Sequence, residues 1–151
     1  MSKQSDALKR FNLLAAEIDS YYHMAAVKKD VADSVMDILY VLYDFEEGCN
    51  QSEIYKLTCT SRQTVNSAIK KMEKEGLLEL RSGYGRNTIV VLTDKGKELQ
   101  DTCAKPLVDA ENEIFNEWTK EEREEFLRLN TLYLDGIKKR IGSWESLKKT
   151  R

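Results

Sequence analysis

Between Ser61 and Lys74 the chain concentrates groups suited to a polar, anionic partner: Ser61, Arg62, Gln63, Thr64, Asn66, Ser67, Lys70, Lys71 and Lys74. On a helical wheel Val65, Ile69 and Met72 fall on one stripe with Ala68 beside it. Arg62, Gln63, Asn66, Ser67 and Lys70 lie elsewhere on the cylinder, with Thr64 at the margin. A guanidinium fork matches the O6/N7 edge of guanine, and a carboxamide matches the N6/N7 edge of adenine. The three lysines suit backbone phosphates better than bases, and a helix N-terminus favours an adjacent phosphate. The same face is also what an ordinary solvated amphipathic helix carries, so the elements around it must decide between the two readings.

Those elements follow from period and punctuation. Leu8, Phe11, Leu14, Ile18 and Tyr21/Tyr22 predict a helix over Ser5–Met24, and Val31, Val35, Ile38/Leu39 and Leu42 a second over Asp30–Phe45. The second stops at Gly48, which can take the left-handed conformation. A short helix over Gln51–Leu57 and a turn at Thr58–Thr60 precede the polar helix. Thr60 or Ser61 caps that helix, which runs through Glu75 and ends at Gly76. Its apolar side is expected to pack on Ile54, Leu57 and Leu77. Two β-prone runs, Leu77–Arg81 and Thr88–Leu92, flank a glycine-bearing loop and predict a hairpin. Thr93 or Asp94 starts a long helix to Trp118 that Pro106 should kink. Thr119 with Glu122 forms a capping box for a helix through Ile141, and a last short basic helix follows from Ser143. Helix, turn, helix, hairpin is the order of a winged helix-turn-helix, whose second helix lies in the DNA major groove. The fold class is mainly α (α+β).

Composition narrows the alternatives. The 151 residues include one proline and seven glycines, too few for a loop-rich or all-β chain. No run of eighteen apolar residues exists to span a membrane, and Met1–Arg10 lacks a signal-peptide apolar stretch. The three cysteines, Cys49, Cys59 and Cys103, are widely spaced, and read as reduced cytoplasmic thiols. A net charge of −2 conceals segregation: Met1–Asn50 carries −4, Gln51–Lys97 +4, Glu98–Asp135 −7 and Gly136–Arg151 +5. The basic middle lies where the polar helix and hairpin lie. One histidine makes no zinc site, and no nucleophile–base pair or phosphate loop points to an enzyme. No metal or cofactor is called for. The terminal helices carry more apolar side chains (Phe11, Leu14 and Ile18; Leu107, Ile114, Phe115, Phe126, Leu129, Leu132, Tyr133 and Ile137) than a small winged domain needs. Monomers rarely leave such patches open, so a second copy is expected to cover them.

Four segments then resemble the MarR family of bacterial transcription regulators: Gln51-Ser52-Glu53-Ile54, Ser61-Arg62-Gln63-Thr64-Val65-Asn66, Lys71-Met72-Glu73-Lys74-Glu75-Gly76-Leu77-Leu78, and Arg86 with Val91-Leu92-Thr93-Asp94-Lys95-Gly96. The resemblance extends from about residue 5 to 141. It implies a homodimer with residues 1–29 and 98–151 as dimerisation helices and 30–97 as the DNA-binding winged helix. It also implies a pseudo-palindromic operator, a repressor more than an activator, and a wing arginine, matched by Arg86, in the minor groove. The family commonly has an acidic residue two positions before that arginine to anchor it; here Tyr84 stands there, leaving a looser wing or one held by an aromatic stack. Many relatives bind small aromatic effectors between the dimerisation helices and the winged domain. Tyr21, Tyr22, His23, Met24, Tyr40 and Tyr43 could line such a crevice, or Tyr40 and Tyr43 are core and His23 is a surface residue. Cys59, just before the polar helix, is either structural or a thiol sensor. The alternative to a DNA-binding regulator is a winged-helix module that binds protein.

Overall fold

Side-chain oxygens set where the helices begin. The hydroxyl of Ser5 accepts from the Leu8 amide, Asn50 Oδ1 from Ser52, Ser61 from Thr64, Thr93 from Gly96 and Thr119 from Glu122, each relieving one of the amides a helix start leaves unpaired. In the computed structural model, which describes residues 3–149, these caps open or flank α1 (Asp6–Lys28), α3 (Gln51–Thr58), α4 (Arg62–Lys74), α5 (Asp94–Glu117) and α6 (Lys120–Gly142). Helix α2 (Asp33–Leu42) starts without a side-chain cap. The expected terminal segments, 1–29 and 98–151, each run two residues beyond the described ones.

The three strands are β1 (Cys49–Asn50), β2 (Leu78–Ser82) and β3 (Thr88–Leu92), antiparallel in the order β1-β3-β2. The hairpin pairs Leu80 with Val90 and Ser82 with Thr88, as the two β-prone runs predict. Strand β1 was not expected. Two residues carry no readable period, and only pairing of Cys49 with Val90 and Asn50 with Ile89 defines it. Gly48, at φ +100°, turns the chain into it. A Cβ there would meet the Val90 carbonyl at 2.9 Å, so conformation and space both favour glycine.

Residues up to Asp109 form one compact unit and those from Ala110 a second, with α5 running through both. In the first unit α2 contributes Ile38 and Leu39, α3 Ile54, α4 Val65, Ile69 and Met72, β2 Leu78 and β3 Val90, all essentially inaccessible to solvent. Leu107, expected on the dimerisation face, is instead half-buried against this core. Leu57, expected beneath α4, is 49% exposed; Ile54 and Leu77 take the buried places. Gln100 is buried and its Nε2 donates to the Leu39 carbonyl at 2.9 Å, closing an orphan carbonyl near the end of α2. Gly96 lies so close to the wing base that a Cβ would sit 1.9 Å from the Leu77 carbonyl oxygen.

In the second unit, Phe115, Trp118 and Phe126 form an aromatic cluster with centroids 5.0–6.0 Å apart. Arg123 Nη1 donates to the Phe115 and Trp118 carbonyls at 2.8 and 2.6 Å, capping the end of α5. Phe115, expected on the dimerisation face, thus finds partners within its own chain. Helix α6 has no buried residue, and Leu129, Leu132, Tyr133 and Ile137 are all exposed. Pro106 lies inside α5 without ending it. The last short helix is a 3₁₀ turn, Leu147–Lys149.

Candidate nucleic-acid interface

Burial splits α4 as the wheel predicts. Val65, Ala68, Ile69 and Met72 are buried, while Arg62, Gln63, Thr64, Ser67, Lys70, Lys71 and Lys74 are exposed. Ser61 caps the helix and its hydroxyl also lies 2.8 Å from that of Thr64. Ser67 Oγ donates back to the Gln63 carbonyl at 2.9 Å, the local bond a helical serine makes when no other partner is offered. The first turn of α4 carries no acidic residue. Among the described residues, no carboxylate pairs with Arg62, Lys70, Lys71 or Lys74. Four cations without ion-pair partners, beside a helix N-terminus that carries no acidic residue, therefore present positive charge to one side.

Asn66 sits differently from its neighbours. It is half-buried, and its Oδ1 accepts from Gln51 Nε2 at 2.8 Å and from the Tyr55 hydroxyl. Gln51 Nε2 also donates to the Tyr55 hydroxyl oxygen at 2.8 Å. Bidentate reading of adenine needs a carboxamide oxygen free to accept, and here that oxygen is already engaged with α3. The Tyr55 ring carries the Arg62 guanidinium at 5.2 Å from its centroid, within cation–π range. Gln51 and Tyr55 were not singled out in the sequence. Their i, i+4 spacing, which puts both on one face of α3, was the available signal.

The wing tip is a tight loop: the Gly83 amide donates to the Asn87 carbonyl at 2.8 Å and the Asn87 amide to Tyr84 at 3.3 Å. Arg86 is exposed at this tip. Tyr84 is 98% exposed and no ring–cation contact joins it to Arg86, so the aromatic stack is not formed.

The six residues expected to line an effector crevice meet different surroundings, Met24 being 41% exposed. Tyr21 is 66% exposed, and Tyr22 is also at the surface. His23 Nδ1 pairs with Asp33 at 2.8 Å across the α1–α2 turn. Tyr40 packs against the core. Tyr43 lines a cleft of about 460 Å³ with Leu42, Phe45, Leu92, Lys97 and Gln100. Cys49 and Cys103 are buried, and burial pushes both thiols up from their ordinary pKa. Cys59 is exposed, and it ends α3 in the left-handed conformation at φ +51°.

Residues 29–86 match the MarR family model. The matched segment holds α2, α3, α4 and the first wing strand. The fold extends the match beyond it. A MarR family regulator from Neisseria meningitidis superposes with a TM-score of 0.78 at 18% identity, covering 91% of this chain and 98% of that one. MepR of S. aureus, solved in complex with DNA, gives 0.67 at 18% identity over 89% of this chain and 99% of its own. PcaV of Streptomyces coelicolor, a transcriptional regulator solved with its natural ligand, gives 0.64 at 17% identity over 89% and 98%. No curated protein matches the chain. In this winged-helix fold, α4 is the second helix of the helix-turn-helix and β2–β3 the wing. No helix among the described residues is long and apolar enough to cross a membrane.

Proposed function

We propose that the chain is a cytoplasmic, non-enzymatic transcription regulator that binds double-stranded DNA as a homodimer, one α4 per major-groove half-site of a pseudo-palindromic operator. The observation that carries this reading is the α4 face: Arg62, Gln63, Thr64 and Ser67 exposed beside the unpaired Lys70, Lys71 and Lys74. Arg62 and Gln63 are assigned base edges, the lysines and the Ser61/Thr64 turn phosphates, and Arg86 the minor groove. The exposed apolar residues of α1 and α6 support a two-fold partner, since burying each aliphatic side chain is worth roughly 1.5–3 kcal/mol. Repression is the direction we assign, with release by a small aromatic ligand. The cleft beside Tyr43, together with a transcriptional regulator of the same fold, PcaV, solved with its natural ligand, supports the release step.

The test selects bound fragments from the source genome and titrates the best against random duplex at two salt concentrations. A regulator binds the selected site on the order of 10³-fold or more tighter than random DNA. Equal affinity for both would overturn the assignment, as would a clean monomer in sedimentation at micromolar concentration.

A further inference from the structure

We propose that Tyr55, outside the DNA-facing helix, is a positioning residue that presents Arg62 to the DNA. Its ring supports the guanidinium, and Gln51 and Asn66 fix the ring through its hydroxyl. The inference rests on the DNA-binding reading above and deepens it: of the two residues assigned to base edges, Arg62 is the one set before binding, with Asn66 as part of its mount.

The geometry is a chain of contacts crossing the helix-turn-helix. Gln51, one turn before Tyr55 on α3, donates to the Tyr55 hydroxyl oxygen and to Asn66 Oδ1, both at 2.8 Å. The Tyr55 hydroxyl donates to the same Asn66 oxygen on α4. The ring is thereby held at its far end by side chains from two helices. Arg62, on the first turn of α4, lies over the ring at 5.2 Å and makes no ion pair with a described residue. An exposed arginine left alone samples many rotamers, and that freedom is lost when it docks on a base. A guanidinium already resting on an aromatic face has lost part of it before binding, which favours the bound geometry. A guanidinium supported over a ring still has edge N–H groups to offer a guanine, so support and reading can use different parts of the same group.

The experiment is a double-mutant cycle on the selected operator and on random duplex, with wild type, Tyr55→Leu, Arg62→Ala and the double variant. An exposed cation–π contact predicts that Tyr55→Leu weakens operator binding about two- to fivefold. Random DNA should be unaffected, and nothing further should be lost in the Arg62→Ala background. Tyr55→Phe keeps the ring and should lose less than Tyr55→Leu; it also serves if the leucine variant melts early. In the DNA-free protein, NMR should show a ring-current shift on the Arg62 side chain that Tyr55→Leu abolishes and Tyr55→Phe retains. The proposal is overturned if Tyr55→Leu matches wild type on the operator, weakens both DNAs equally, or still costs affinity when Arg62 is alanine. An Arg62→Ala protein that keeps the full operator preference overturns both the proposal and the base-reading assignment beneath it. That outcome is told apart from a failure of the mount alone because, in protein that keeps Arg62, its side-chain resonance would still respond to Tyr55→Leu.

Discussion

Helices α2 and α6 carry similar apolar periodicity but meet different surroundings. On α2, Val35, Met36, Ile38, Leu39 and Leu42 are all buried within the chain. On α6, Leu129, Leu132, Tyr133 and Ile137 recur at helical steps, yet none is buried. A stripe on a helix therefore announces that something covers it without saying what. The winged part is complete in itself, whereas α6 displays apolar surface of the kind that associating proteins cover.

Ile38 gives this contrast its most severe test. It is fully buried, so Ile38→Ala should cost about 2–5 kcal/mol of unfolding free energy, read by chemical denaturation and independent of protein concentration. The counterpart on α6, Leu132→Lys, should leave the fold of the winged part intact and convert a sedimenting dimer to a monomer. A dimer that survives Leu132→Lys together with Leu129→Lys would remove α6 from the interface. On the DNA side, Arg62→Ala should reduce discrimination between operator and random duplex by about 1–3 kcal/mol. Lys70→Ala or Lys74→Ala should instead weaken both DNAs alike, with the slope of log K against log salt falling by roughly 0.9 for each phosphate that is no longer neutralised.

The smallest effect concerns the thiols. Under native conditions an alkylating reagent should label Cys59 first, because Cys49 and Cys103 are buried and held above their ordinary pKa. Mass spectrometry of the labelled peptides reads the order, and early labelling of Cys103 would contradict the packing of α5. The sign for stability follows. The unfolded thiols release their protons at lower pH than the folded ones, so this contribution is intact below the ordinary thiol range and fades as pH rises through it.

Much of the winged helix was legible because its signals are local. Ser61 and Thr119 announce helix starts, Gly76 a stop, and the alternation around Gly83–Asn87 a hairpin; Gly48 misplaces the end of α2, which stops at Leu42 and leaves the glycine to lead into β1. Strand β1 was not legible, since two residues owe their strand character to Val90 and Ile89, some forty positions away in sequence. The polar face of α4 was readable from the wheel, but the wheel gives direction and not company. It placed Asn66 with the outward residues, whereas Gln51 and Tyr55, on another helix, hold its oxygen. Leu57 and Leu107 mark the same boundary: both are apolar at helical spacing, and only the tertiary neighbours leave the first at the surface and draw the second inward.

The missing side chain at Gly96 bears on how such a wing can diversify. With the Leu77 carbonyl where even a methyl would intrude, and the Thr93 hydroxyl donating to the Gly76 carbonyl at 2.6 Å beside it, the root of the hairpin is clamped to the following helix at a fixed length. Open space for change lies at the far end, around Tyr84 and Gly85. Reach into DNA can therefore be retuned there while the mounting stays constant.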